Sequence, residues 1–277
     1  MTYKNELWNA CKDGKVLIAA HRGAAGGNIP CNTMAAFEAA LYQGADMLET
    51  DVTPAGDGEL FIFHPGMEKA QLKFEGHIEK MTGEEVRQLH YVNGDRNATE
   101  SPLLTLEEFL AAFKDRCFIN LDHAWDDLPR VIEAVRRHGM EKQVLIKAPA
   151  DLKYARIMEE IASDIMFMPI IREKDEISEV LEQMNINFAG VEVLFETEDS
   201  PVAQKAYIDS HHEKGRVLWV NPIVYYYKDQ LTAGHSDDVA MTGNPEYGWG
   251  WLIDRGFDIL QTDWILPLGQ FMTARKG

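Results

Sequence analysis

Short runs of apolar, β-branched and aromatic residues recur along the chain. Between most of them lie stretches whose apolar positions return with helical spacing. The strand-like runs cover residues 16–21, 47–52, 60–64, 118–122, 144–147, 165–170, 190–195, 216–221 and 258–263. Helical patterning covers 33–43, with Asn32 as its expected N-cap and Gly44 just past its end. It returns over 128–138 before Gly139, then over 155–162, 176–184 and 202–213, the last ending near Gly215. This alternation predicts a parallel sheet wrapped by helices.

One pair breaks the alternation. Runs 47–52 and 60–64 are joined by only seven residues, Thr53 to Glu59, which include Asp57-Gly58. No crossover helix fits there, so a hairpin is expected, with Glu49 opposite His64 if the turn centres on Gly56-Asp57. Setting the return strand aside leaves eight runs that can all be parallel, the pattern of a (β/α)8 TIM barrel. An open doubly wound sheet is the alternative, but neither G-x-G-x-x-G nor a P-loop occurs. Residues 66–104 fit neither period. They show helical signal over 81–89 and a polar stretch over 93–101, and are expected to be an insertion covering the active-site end of a single domain spanning 1–277.

The chain has 277 residues, 27 Lys plus Arg and 45 Asp plus Glu, for a formal charge of −18. Such a field disfavours nucleic acid and anionic membranes as partners. An anionic substrate then needs local cations or a metal. The first residues contain no apolar signal-peptide core, and no apolar run approaches the ~20 residues of a membrane span. Cys11, Cys31 and Cys117 are widely spaced and form neither a zinc pattern nor a disulfide framework. These features predict a reduced, cytoplasmic protein with no stable membrane association.

Candidate chemistry clusters at strand ends, where (β/α)8 barrels carry their active sites. His21-Arg22-Gly23 follows the first run and offers an acid or base, a phosphate-binding fork and a flexible loop. Glu49 and Asp51 are two residues apart on one strand and face the same way. Two buried like charges need a cation between them, which suggests Mg2+ or Ca2+. The hairpin returns His64 to their level. Asp122 ends another run and can add an oxygen ligand, whereas His123 points away if that strand persists. Lys147 ends the next run, where it can meet phosphate. Trp219, with Asn221, can wall a substrate pocket, and Asp263 can orient a ligand or cap a turn. Aromatic patches at 225–227 and 247–251 suit a pocket mouth. His211-His212 and His235 show no metal-ligand spacing and read as solvated.

Together the motifs AHRG at 20–23, NTMAAFEAALYQGADMLETDV at 32–52, DGELFIFHPG at 57–66, FINLD at 118–122 and GFDILQTDW at 256–264 resemble the glycerophosphodiester phosphodiesterase family. The resemblance spans nearly the whole chain, in order. It implies a (β/α)8 barrel with a small insertion after the second histidine. It implies a divalent metal, Mg2+ or Ca2+, held by Glu49, Asp51 and Asp122, with His21 and His64 as the acid/base pair and Arg22 on the phosphate. The implied reaction takes a small glycerophosphodiester to an alcohol and glycerol 3-phosphate, through attack by the neighbouring glycerol hydroxyl.

Three positions depart from the family pattern. Cys31 stands where Glu is usual before Asn-Thr, Asp122 where Glu is usual, and Ala124 where Lys is common. Lys147 is expected to restore that last cation on the substrate. The departures keep two alternatives open: a phospholipase D-like lyase on lysolipids, and a non-catalytic relative that binds a phosphate ligand.

Overall fold

The computed structural model describes residues 5–226 and 231–276. Eight parallel strands close a barrel among them. The first, Leu17–His21, pairs with the second, Met47–Pro54, which pairs with the third, Phe118–Asp122. Pairing continues through Val144–Pro149, Met166–Arg172, Gly190–Leu194 and Val217–Val220 to the eighth, Ile259–Thr262. The eighth pairs with the first and completes the ring. This is the expected (β/α)8 architecture.

The two-residue period of a strand sorts each strand's side chains into two cores. Ile18, Ala20, Leu48, Ile119, Leu121, Ile146, Phe167 and Leu260 pack outward against the helices. Leu17, Ala19, Met47, Leu145, Met166, Met168, Val217, Trp219 and Ile259 form a second cluster that fills the barrel. Leu7 and Cys11, on and just after the helix Glu6–Ala10, join it from the lower end. In several strands the interior column turns polar as the strand rises. Leu17 and Ala19 lead to His21, Met47 to Glu49 and Asp51, Leu145 to Lys147, and Ile259 to Gln261. The same alternation that builds the core therefore carries polar groups to the barrel mouth.

Helices start where the backbone finds a local acceptor. Thr33, not Asn32, caps Met34–Tyr42 through a bond from Ala36 N. Asn32 is instead left-handed, at φ +57°, and turns inward. Leu128–His138 runs from the Asp127 cap to left-handed Gly139. Leu106–Phe113, absent from the sequence reading, carries a full capping box of Thr105 and Glu108. The pattern over 202–213 breaks at Gln204 into the short turn Pro201–Ala203 and the helix Lys205–His212.

The hairpin forms, but its register differs by one residue from the sequence expectation. Val52 faces Ile62, Thr53 faces Phe61 and Pro54 faces Leu60. The turn thus centres on Asp57, with Gly58 at φ +89°. Glu49 does not stand opposite His64. Beyond Phe63, whose N–H donates to Asp51 O, the return strand leaves the ladder. Residues 66–104 hold the helix Gly83–Val86 and an antiparallel pair, His90–Val92 with Ala98–Pro102. The polar stretch 93–101 thus supplies a turn and a largely exposed strand, which an apolar alternation cannot reveal. Phe61, Phe63, Leu72, Ile78, Val86, Tyr91 and Leu103 give this segment and the return strand a separate apolar cluster.

Asp237 ties the segment between the seventh and eighth strands to the end of the eighth. It is 2% exposed and accepts from Trp249 Nε1 at 2.7 Å, Thr262 Oγ1 at 2.8 Å and Asp263 N at 3.0 Å. Burial outweighs these donors and pushes its carboxyl up to about 6, from 3.8. The native fold therefore binds this proton more tightly than the unfolded chain. The stability it contributes is complete below pH 3.8 and is lost as pH rises through about 6. Asp237→Asn should remove this slope. In urea unfolding, wild type should lose about 3 kcal/mol relative to the variant between about pH 4 and 7; parallel curves would contradict the assignment.

Candidate active site at the barrel mouth

Strand register brings the first residues together. His21 lies beside Glu49, and Asp51 lies beside Asp122. One carboxylate oxygen from each of Glu49, Asp51 and Asp122 falls within 4.8 Å of the others. Glu49 and Asp51 are buried. Burial, then the charges of Asp51 and Asp122, push the Glu49 carboxyl well above its usual range, and Lys147 and Arg22 offset this only in part. Burial also acts on Asp122, but Lys147 and then His123 hold it below the ordinary carboxylate range. Three crowded carboxyls with two neighbouring cations suit a hard divalent ion, which takes oxygen ligands.

Arg22 reaches the cluster through a strained turn. It adopts φ +56° and Gly23 adopts φ +80°. A Cβ on Gly23 would sit 2.7 Å from the Ala36 carbonyl carbon, so only glycine lets this loop pack on the helix Met34–Tyr42. Arg22 N donates to Glu49 Oε2 at 3.1 Å, and its Nε lies 2.9 Å from Asp51 Oδ2. That ion pair is poorly aligned, leaving buried Nε without a hydrogen-bond acceptor. Burial opposes the guanidinium charge, but Asp51 and Glu49 more than restore it and raise its pKa. Asn32 Nδ2 donates to Asp51 Oδ2 at 3.4 Å, and its Oδ1 accepts from Thr50 at 3.0 Å. Cys31 is held by Gln71 Nε2 at 3.4 Å, and burial pushes its thiol up to about 11. It supplies no replacement for a carboxylate charge.

His21 Nδ1 lies 2.8 Å from Asp263 Oδ1, and Nε2 lies 3.3 Å from the Tyr225 hydroxyl. Asp263 thus orients His21. His64 Nδ1 lies 2.9 Å from the carbonyl of Pro65. Burial lowers the His64 pKa; Asp51 opposes this, while Arg22 and His123 add to it. His123 reaches the site because its strand stops at Asp122. At φ +53° its backbone turns back, and its ring meets His64 edge-on with centroids 4.8 Å apart. Sequence reasoning missed it by extending the strand one residue too far.

Lys147 and Trp219 sit differently from expectation. Lys147 is 1% exposed, with Nζ 2.7 Å from Glu192 Oε2, 3.5 Å from Asp122 Oδ2 and 4.3 Å from the Trp219 ring centroid. Carboxylates and an aromatic face occupy its surroundings, so it presents no open face to a substrate phosphate. Trp219 is fully buried beneath it and donates to Asn221 Oδ1 at 2.7 Å, so it walls no pocket. Its strand places it among interior apolar residues, below the mouth. The histidines read as solvated are also packed. His211 faces Asp175, His212 Nε2 lies 2.9 Å from Asp258 Oδ2, and His235 stacks on Trp251 at 4.0 Å. Of the first aromatic patch, Tyr225 and Tyr226 are exposed and Tyr227 lies outside the described residues. In the second, Trp249 is buried and bound to Asp237.

A family model described as a domain of unknown function matches residues 167–272. A glycerophosphodiester phosphodiesterase of Caldanaerobacter subterraneus is 31% identical over 143 residues, 48% of this chain and 58% of that protein. The match thus spans less than two thirds of that relative's length. The crystal structure of a glycerophosphoryl diester phosphodiesterase from Parabacteroides distasonis shares the fold with a TM-score of 0.79 at 20% identity, covering 99% of this chain and 93% of that one. A phosphodiesterase from Oleispira antarctica, solved with the product sn-glycerol-3-phosphate, gives a TM-score of 0.65 at 17% identity over 94% of this chain and 97% of that one. The chain is similar to glycerophosphodiester phosphodiesterases in sequence over about half of its length and in fold over nearly all of it.

Proposed function

We propose that this chain hydrolyses small glycerophosphodiesters to an alcohol and glycerol 3-phosphate. The observation that carries this reading is the meeting of His21, His64, Arg22 and three carboxyls at one barrel mouth. Glu49, Asp51 and Asp122 would hold a hard divalent cation, Mg2+ or Ca2+, which would supply positive charge to offset the phosphate and the charge growing on it. Arg22, with its unaligned Nε, binds the phosphate. His64, kept neutral by burial, takes the proton from the glycerol hydroxyl beside the phosphate. That oxygen attacks phosphorus as His21, oriented by Asp263, gives a proton to the departing alcohol oxygen. The phosphate is then cyclic. Water opens it with the histidines' roles exchanged, and both return to their starting states.

Lys147 acts in this reading by steadying Asp122, not by touching substrate. Residues 66–104 act as an insertion within one domain. They meet the loop after the first strand through Asn93 Nδ2 to Asn28 Oδ1 at 3.0 Å and Gln71 to Cys31. No described helix is long and apolar enough to cross a membrane. The free thiols of Cys11, Cys31 and Cys117 support a cytoplasmic setting, and the charge of −18 argues against nucleic acid as a partner.

Glycerol 3-phosphate release from glycerophosphocholine and glycerophosphoethanolamine tests the function. Turnover should require Mg2+ or Ca2+, stop in EDTA and fall about 10²–10⁴-fold in His21→Ala. Turnover that persists in EDTA, or in the variant, would contradict the reading.

Lys147→Met tests the positioning role. Leaving Glu192 and Asp122 without their buried partner should cost about 3–5 kcal/mol of unfolding free energy, partly recovered in Lys147→Met/Glu192→Gln. Unchanged stability with only a raised KM would instead place Lys147 on the phosphate.

A further inference from the structure

Beside the three carboxyls, a second donor set converges. One ring nitrogen of His64, one of His123 and an oxygen of Asp51 lie within 4.8 Å of one another. Asp51 belongs to both sets. The mechanism above leaves His123 without a task.

The hydrogen bond of the His64 ring and the carboxylate beside the His123 ring leave one nitrogen of each open. His64 Nδ1 faces the Pro65 carbonyl at 2.9 Å, so Nδ1 carries the hydrogen and Nε2 keeps its lone pair. His123 Nδ1 is buried, has no hydrogen-bond partner and lies 3.6 Å from Asp126 Oδ2. A carboxylate behind Nδ1 favours the hydrogen there and the lone pair on Nε2. Metal-binding histidines are held this way, with the far N–H turned to a carbonyl or carboxylate. Trp125 packs on the outer side of His123, with centroids 4.5 Å apart, and keeps the ring turned toward His64. The left-handed backbone at His123 is an uncommon conformation for a residue other than glycine, and here it points an imidazole at a carboxylate.

We propose that Asp51, His64 and His123 form a second cation site, for a first-row divalent ion such as Zn2+ or Co2+. The donor chemistry separates the two sites. Imidazole nitrogen suits Zn2+ and its neighbours, whereas Mg2+ and Ca2+ prefer the all-oxygen set of Glu49, Asp51 and Asp122. The His64 lone pair cannot hold an ion and accept a proton at once. Filling this site therefore removes the base of the proposed reaction, a consequence that rests on the functional reading above. The site itself does not.

Co2+ and Zn2+ titrations of the full chain in saturating Ca2+ test the proposal, read by bound metal per chain and by the visible absorption of Co2+. Wild type should bind one Co2+ or Zn2+ per chain without releasing Ca2+. His123→Ala should bind it about a hundredfold more weakly or worse, since loss of a histidine's supporting group alone costs 10–100-fold. His123→Gln, which keeps bulk at the position, should behave likewise, and Ca2+ retained by both variants shows that the carboxylate site is intact. Equal Co2+ affinity in wild type and variants would overturn the site. So would Co2+ that enters only by displacing Ca2+. Neither readout requires turnover, so a chain inactive on glycerophosphodiesters could still uphold the site, and an active one could fail to bind the second ion.

Discussion

Three carboxyl groups crowded at the mouth of the barrel set the terms for everything around them. Glu49, Asp51 and Asp122 arrive there by strand register, and two of them are buried. Like charges at this spacing repel, and burial removes the water that would screen them. The chain answers with two cations, Arg22 from the loop above and Lys147 from the neighbouring strand. Lys147 is itself shared with Glu192. Burial first, and then the charges of Asp51 and Asp122, drive the Glu49 carboxyl upward against these two cations, and the cluster suits a divalent ion.

The barrel was legible because one rule governs both its core and its mouth. A residue two positions beyond an interior apolar residue also points inward. Leu17, Ala19 and His21 share a column, as do Met47, Glu49 and Asp51. Strand ends read from hydrophobicity therefore located His21, Glu49, Asp51 and Asp122 together. Eight helix-separated runs suggested a barrel but left an open doubly wound sheet as the alternative, and the pairing of the eighth strand with the first decides between them.

What the sequence concealed lies where the rule stops. His64 stands beyond the ladder, so register could not place it; the chain's bend at Phe63–Pro65 does. His123 was assigned to the wrong face because a strand pattern has no mark for a left-handed residue at its end. Asp263 and Tyr225 were both singled out as candidates, but that they meet at His21 was hidden, because loop paths leave no periodic signal. Trp219 and Lys147 were placed on the correct interior column but at the wrong depth. Alternation gives the facing direction of a side chain, not which buried neighbours will enclose it. For Lys147 those neighbours are Glu192 and Trp219, each contributed by a strand far along the chain.

The central claim is that the carboxyl cluster is held under electrostatic stress that a divalent ion relieves. Thermal and urea unfolding of wild type and Glu49→Gln, in EDTA and with Mg2+ or Ca2+, measures this directly. In EDTA, Glu49→Gln should be at least as stable as wild type, because it replaces a carboxyl whose ionisation burial and the neighbouring carboxylates oppose, and keeps an oxygen for Arg22 N. Added ion should stabilise wild type by about 2.7 kcal/mol at a hundred times Kd, and should stabilise the variant much less. A wild type indifferent to the ion, together with a variant weakened in EDTA, would contradict the account.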